Sequence, residues 1–441
     1  LPESKPSPRF KTPEILEADI LEPEIVRPKI LRAEIIEFES EGEPQRPRVA
    51  AAVIDDFTQA SAEAPVGGRR QRRWFRWPDW CLGRAWDLLS LLVLLAVVAA
   101  IPLVQMASLG YLLRAAAKLA TGGAWSEALP GLRRAGLLGT FTLLATLSWL
   151  PVWLVTDVSY SAQLLQPGTS TAAMWRSAAF VASAAWVLHV AWAAMRGGRW
   201  WHFLWPAPLR FLKQAWRPAT WQKASDQLYD GVISLQFPQL WWLGARAAVG
   251  AMLWTCVPVT MMIIGQRSPD MDLAPLIGLV GAIAMIAIML YLPFLQLQVA
   301  IENRFMAILN VRQVRRRFLF APLAHAFSLL LLCVLCIPLY LLRIEAAPAE
   351  LLWAPSFVFV VFMLPAKLCL GAAMGYANAR QQSGVKSVRH WTLRWPARVL
   401  ALASVLVYVG ALYVAQLVAG QGALVMYFQH AFLVPAPLIS T

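Results

Sequence analysis

Eight apolar stretches run along the chain, near residues 86–110, 135–156, 174–195, 240–264, 275–300, 322–342, 351–377 and 397–419. A bilayer core of about 30 Å is crossed by about 20 residues of helix. Inside lipid every backbone N–H and C=O must be paired within its own segment, so each stretch predicts a transmembrane helix. The expected fold class is all-α: a polytopic membrane helical bundle of seven or eight spans, with basic interfacial helices and an extended or disordered N-terminal repeat tail.

The polar connections fall into two kinds. Segments 111–134, 196–239, 302–321 and 378–398 carry 4, 6, 5 and 5 Lys/Arg. Segments 157–173, 265–274, 343–350 and 420–441 carry 0, 1, 1 and 0. The positive-inside rule puts the first set in the cytoplasm. Strict alternation then exports residues 69–85, which hold six arginines. Two solutions stand: a re-entrant hairpin bent near Pro102, which keeps the N-terminal tail cytoplasmic, or a single crossing that exports it. The hairpin is favoured, because Pro102 follows Leu88 by only fourteen residues and charge close to a span weighs most.

Ahead of the spans the pattern changes period. Residues 13–37 read PEILE, ADILE, PEIVR, PKILR, AEIIE, five pentads in tandem. A repeat of five suits neither a helix nor a strand, and Pro13, Pro23 and Pro28 oppose a helix. An extended chain would present an apolar pair about every 16–17 Å: Ile15 and Leu16, Ile20 and Leu21, Ile25 and Val26, Ile30 and Leu31, Ile35 and Ile36. Such a segment cannot bury these side chains alone. It is a spacer, or it docks a protein partner along a groove or sheet edge. The expected division is an acidic tail at 1–40, a linker at 41–68, an Arg/Trp interface segment at 69–85 and a transmembrane domain at 86–441.

Composition agrees with the pattern. The 441 residues are 59% hydrophobic and 15% charged, against about half and a quarter in soluble domains. Net charge is +14; residues 1–68 contribute −6 and the remainder +20. Basic residues beside apolar spans suit a bilayer with anionic headgroups better than nucleic acid. Arg–Trp alternation repeats this signature at Arg73, Trp74, Arg76 and Trp77, at Trp200, Trp201 and Trp205, and at Trp391, Arg394 and Trp395. These residues are expected to anchor the chain at the lipid interface. No recognition fold surrounds them, so no nucleic-acid partner is expected. Five cysteines without even spacing argue against a disulfide framework. The chain opens on Leu1 with no visible signal peptide, which suggests a processed or truncated start.

Candidate chemistry is sparse. Ionisable side chains inside spans are functional suspects by default: His189 in the third run and Lys367 in the seventh, two residues after Pro365. His189 reads as an interhelical hydrogen-bonding residue. Lys367 either meets an anionic group or extends to a headgroup. Gln298 and Glu302, four apart, share a helix face and line a polar path or seal a span end. Cys333 and Cys336 form CxxC inside LLLLCVLCIPL, where thiols act as small packing residues. Asp226 and Asp230 belong to a basic amphipathic segment lying on the membrane. No Walker loop, GxSxG or HExxH occurs, so no catalytic residue, metal site or cofactor is expected.

A faint internal repeat links IPLVQ (101–105) with LPFLQ (292–296), each followed by arginines and by an apolar run ending in LPVWLV (150–155) or IPLYLL (337–342). At ASLGYLLRAAAKLATGG (107–123), ALPGLRRAG (128–136), LYLPFLQLQVAIENRF (290–305) and QHAFLVPAP (429–437) the chain resembles uncharacterised multi-pass bacterial membrane proteins of planctomycete type. The resemblance implies a bacterial inner-membrane helical protein, and it carries no activity or catalytic residues. The leading functional expectation is a non-enzymatic scaffold, anchor or assembly subunit. A transporter with a path between Pro-kinked helices is the alternative, and a lipid-active membrane enzyme the third.

Overall fold

The structure is a computed structural model, described over residues 76–205, 207–268, 271–344, 354–388, 390–418 and 427. The pentads, the 41–68 linker, Arg73 and Trp74 lie outside the described residues. Helices account for nearly all of the described chain, which has no strand. The chain is therefore an all-α, multi-pass membrane bundle.

Helix α1 (Arg76–Ala100) is followed by α2 (Gln105–Ala120), α3 (Leu132–Leu165) and α4 (Ser170–Met195). Three short helices follow: α5 (Trp200–Leu204), α6 (Pro208–Ala215) and α7 (Pro218–Ser234). Next come α8 (Phe237–Arg267), α9 (Ala274–Met289), α10 (Leu292–Glu302), α11 (Val311–Phe320), α12 (Pro322–Ile344), α13 (Ala354–Gln382) and α14 (Trp391–Val418). Seven helices are long and apolar enough to cross a membrane; α9 with α10 makes an eighth if that pair, bent by 41°, is one span.

The run expected to span 86–110 as one helix is instead two. Pro102 cannot donate to the helix ladder, and Leu103 takes a left-handed φ of 66°. Its carbonyl accepts from Trp241 Nε1 at 2.8 Å, one turn into α8. The run at 275–300 breaks in the same way at Leu290–Tyr291, with Pro293 in the first turn of α10. Pro151, Pro258, Pro338 and Pro365 lie within continuous helices.

Both short second halves are central. Thirteen of the sixteen residues of α2 are buried, and eight of the eleven in α10. Small residues permit this. A Cβ on Gly110 would collide with the Leu240 carbonyl of α8, and one on Gly244 with that of Met106. Gly371 and Gly375 of α13 admit Ala116 and Leu119 of α2 in the same manner. Close backbone approach through glycine is how helices associate where lipid gives no hydrophobic drive. The repeat seen in the sequence is thus a repeated span–break–buried-helix element. The packing around it is not symmetric: α3 pairs with α4, whereas α12 pairs chiefly with α14.

The four basic segments meet at one end of the bundle. Arg134 Nη1 donates to the Ser234 carbonyl at 3.4 Å, Asn378 Nδ2 to Ala120 O at 2.9 Å, and Val388 N to Leu319 O at 2.9 Å. The corners of the α1–α2 pair touch the same end. Trp86 Nε1 donates to Thr140 Oγ1 at 2.9 Å near the start of α3. The 101–104 break leans on the start of α8, and Ala120 on the last turns of α13. These contacts place Trp86, the 101–104 break and the end of α2 near the basic segments, while α1 from Cys81 to Ala100 is itself long and apolar enough to cross.

Candidate functional site

Helix α13 is apolar throughout its middle, and Lys367 stands there with 1% of its surface exposed. Its ammonium donates to Gln296 Oε1 at 2.9 Å, and Gln296 Nε2 reaches the Ala247 carbonyl of α8 at 3.4 Å. No carboxylate pairs with Lys367 among the described residues. A buried ammonium with one neutral partner is costly, because a single amide does not replace its hydration shell. The Pro293 break fixes this arrangement by starting α10 at Leu292, which sets Gln296 in the first turns of a half-helix. The N-terminal end of a helix carries partial positive charge, which adds to that of the ammonium.

Three turns further along α13, about 16 Å from Lys367, Asn378, Gln381 and Gln382 line a cavity of about 630 Å³ at the basic end. Its other wall is α11, with Asn310, Arg312, Gln313, Arg316 and Arg317. Asn310 caps α11, accepting from Gln313 N at 3.3 Å. Gln298 Nε2 donates to Glu302 Oε1 at 2.9 Å, so the two share a face as the spacing requires. With its amide oriented to satisfy both neighbours, Gln313 donates to Glu302 at 2.9 Å and accepts from Arg317 Nη2 at 3.0 Å. This chain of side chains ties α10 to α11 and closes the inner wall of the cavity. Burial lowers Arg317 from the usual guanidinium range, and the Glu302 carboxylate partly opposes that. Arg317 Nη1 is buried without a hydrogen-bond partner.

The remaining sequence candidates separate from this region. His189 Nε2 bonds to the Phe203 carbonyl at 2.9 Å, joining α4 to α5. Helix α4 packs on α3 and α5, so His189 has no part in the surroundings of Lys367. Trp200, Trp201, Trp205, Trp391 and Trp395 are all exposed, with Trp200 and Trp201 stacked at 3.5 Å. Arg394 is half-buried. Arg76 and Trp77 fall in the first turn of α1. Arg196 Nη2 accompanies the tryptophans, donating to the carbonyls of His202 and Trp205 at 2.5 and 2.8 Å. Asp226 and Asp230 are exposed. Cys333 and Cys336 are buried in the core, and no metal-ligating cluster occurs among the described residues.

Two participants were not legible in the sequence. Sequence alone does not separate Gln296 from Gln298, because which of them meets Lys367 depends on where α10 starts. His325, 2% exposed, donates from Nδ1 to the Ala321 carbonyl at 3.0 Å and packs on Phe294 with ring centroids 4.9 Å apart. Its Nε2 has no partner. Comparison with protein-family models, with curated proteins and with solved structures gives no match.

Proposed function

We propose that this chain is a carrier of the bacterial inner (cytoplasmic) membrane that moves a small anionic solute, with Lys367 as the charge that recognises it. One observation carries the reading: a lysine with no counter-ion among the described residues, held by Gln296 at a helix break in the middle of an apolar bundle. Intramembrane charge is expensive and marks substrate pathways by default. Half-helices meeting in the bundle interior build the binding sites of secondary transporters. The polar cavity lies about 16 Å from Lys367 along α13, at the basic end, which the positive-inside rule assigns to the cytoplasm.

Thermal unfolding of the full chain in mild detergent tests this, with chloride, phosphate, sulfate and short mono- and dicarboxylates added in turn. At a concentration about a hundred times its Kd a bound anion adds about 2.7 kcal/mol. At least one anion is expected to raise the midpoint of the wild type and leave Lys367→Met unmoved. Equal shifts in both proteins, or none in either, overturn the assignment.

A second reading, an assembly subunit, draws on the α3–α4 pair and on the tail. Only four of the 34 residues in α3 and three of the 26 in α4 are buried, so this pair presents its length to lipid or to a neighbour. The pentads at 13–37 would add a docking strip. Deleting residues 1–40 and cataloguing what co-purifies distinguishes the two: loss of a stoichiometric protein partner favours assembly.

A further inference from the structure

Next to the polar cavity, sharing Arg312 and Arg316 with it, lies a second one of about 720 Å³, between α11, α12, α14 and the α9–α10 break. Its rim carries Arg312, Arg315, Arg316, Arg394 and Arg398, and its wall includes Phe294, Leu329 and Leu402. Five guanidinium groups over an apolar floor have no acid among the lining residues. None occurs nearby in sequence either: residues 303–344 and 351–441 contain no Asp or Glu. Among the described residues none of the five arginines has an ion pair or a hydrogen bond, and Arg398 contacts only the Trp395 ring, at 5.9 Å. The Arg394 Nε is buried without a partner.

His325 supplies an independent sign. It lines this cavity and is almost wholly buried, with Nε2 unpaired. The position is at headgroup level, because α14 begins on the exposed interface residues Trp391 and Trp395. Arginine suits phosphate by charge and by its planar fork of donors. Basic pockets between transmembrane helices on the cytoplasmic side are suited to phospholipid headgroups.

We propose that this cavity is a specific binding site for an anionic phospholipid. Its phosphate sits among the five arginines, its headgroup meets His325 Nε2, and an acyl chain lies against Phe294, Leu329 and Leu402. The site is separate from Lys367 and does not rest on the carrier reading.

The test is lipid retention by the full chain. Protein is exchanged into nanodiscs of phosphatidylcholine with a minor fraction of phosphatidylglycerol, re-extracted in mild detergent, and its bound lipid counted by native mass spectrometry. The wild type is expected to keep about one phosphatidylglycerol. Arg394→Gln with Arg398→Gln, which removes two charge-assisted contacts, is expected to lose at least about tenfold in retention. Leu402→Trp, which fills the cavity without changing charge, is expected to do the same should the arginine variant fold poorly. Arg133→Gln with Arg134→Gln, equally basic but elsewhere on the same end, is expected to retain the lipid. Inorganic phosphate at millimolar concentration is expected not to displace it. Equal loss in the Arg133/Arg134 pair would reduce the site to general surface charge. Retention by both cavity variants, or displacement by phosphate alone, overturns the lipid assignment.

Discussion

Lys367 and Gln296 show how one hydrogen bond governs a buried charge. Replacing Gln296 by Leu removes the only partner of the ammonium among the described residues and leaves it unsatisfied, at a cost of about 1–3 kcal/mol; thermal unfolding in detergent reads this directly. Lys367→Met removes the charge together with its desolvation penalty, so stability is expected to hold or rise. The opposite signs of these two variants separate a functional lysine from one that merely braces helices, for which both losses would destabilise. Leu103 makes a further case. A left-handed backbone costs a non-glycine residue about 1–2 kcal/mol, and its side chain is 74% exposed. Leu103→Gly is therefore expected to raise the unfolding midpoint. At this scale the sequence singled out Lys367 because a cation in an apolar run is conspicuous. Gln296 was invisible because its importance depends on a neighbour 71 positions away. Nothing in the sequence around His325 marks it out, since its neighbours at the site, Phe294 and the arginines of α11 and α14, come from other helices.

Among the elements, periodicity and length identified the long helices, and proline pointed to the break near residue 102, whereas the sequence pattern reads the one at Leu290–Tyr291 as continuous helix. Distinguishing a breaking proline from a tolerated one needed the structure. Pro102 lies in the turn before α2 and Pro293 in the first turn of α10, while Pro151, Pro258, Pro338 and Pro365 sit within unbroken helices. Neighbouring groups can satisfy the carbonyl freed by a proline in a packed bundle, and the local sequence does not contain those neighbours. The burial of α2 was equally hidden. ASLGYLLRAAAKLA reads as an interfacial amphipathic stretch, yet its alanines and Gly110 let α8 and α13 approach from two sides. Tyr111 then donates to the Pro130 carbonyl at 2.9 Å, tying the Gly–Tyr pair to the Leu–Pro–Gly turn that follows it. Gly110→Val places a side chain where the Leu240 backbone stands, an overpacking worth about 1–3 kcal/mol or more. A lower midpoint, or failure to recover monodisperse protein, is expected; an unchanged midpoint would deny the close crossing.

For the whole molecule, charge placement was the most informative feature of the chain. Counting Lys and Arg alone divided the connections into two sets, and the structure gathers the richer set at one end. The same count left the first apolar run ambiguous, since a hairpin and a crossing have identical composition. The hairpin expected from the charge pattern would keep the N-terminal tail on the basic side, whereas α1 taken alone is long and apolar enough to cross. A cysteine introduced as Ser61→Cys in a cysteine-free background is expected to react with a membrane-impermeant maleimide in inside-out vesicles and not in right-side-out ones. The reverse pattern would mean that α1 crosses and the tail is exported.

The central claim is that a buried lysine, without a counter-ion among the described residues, makes this bundle an anion carrier. The most direct measurement is the current from proteoliposomes on a solid-supported membrane after a jump in anion concentration, using an anion selected by thermal stabilisation. The account predicts a saturable transient for the wild type that is absent in Lys367→Met, although the variant inserts and folds. A transient of the same size and saturation in Lys367→Met would contradict it.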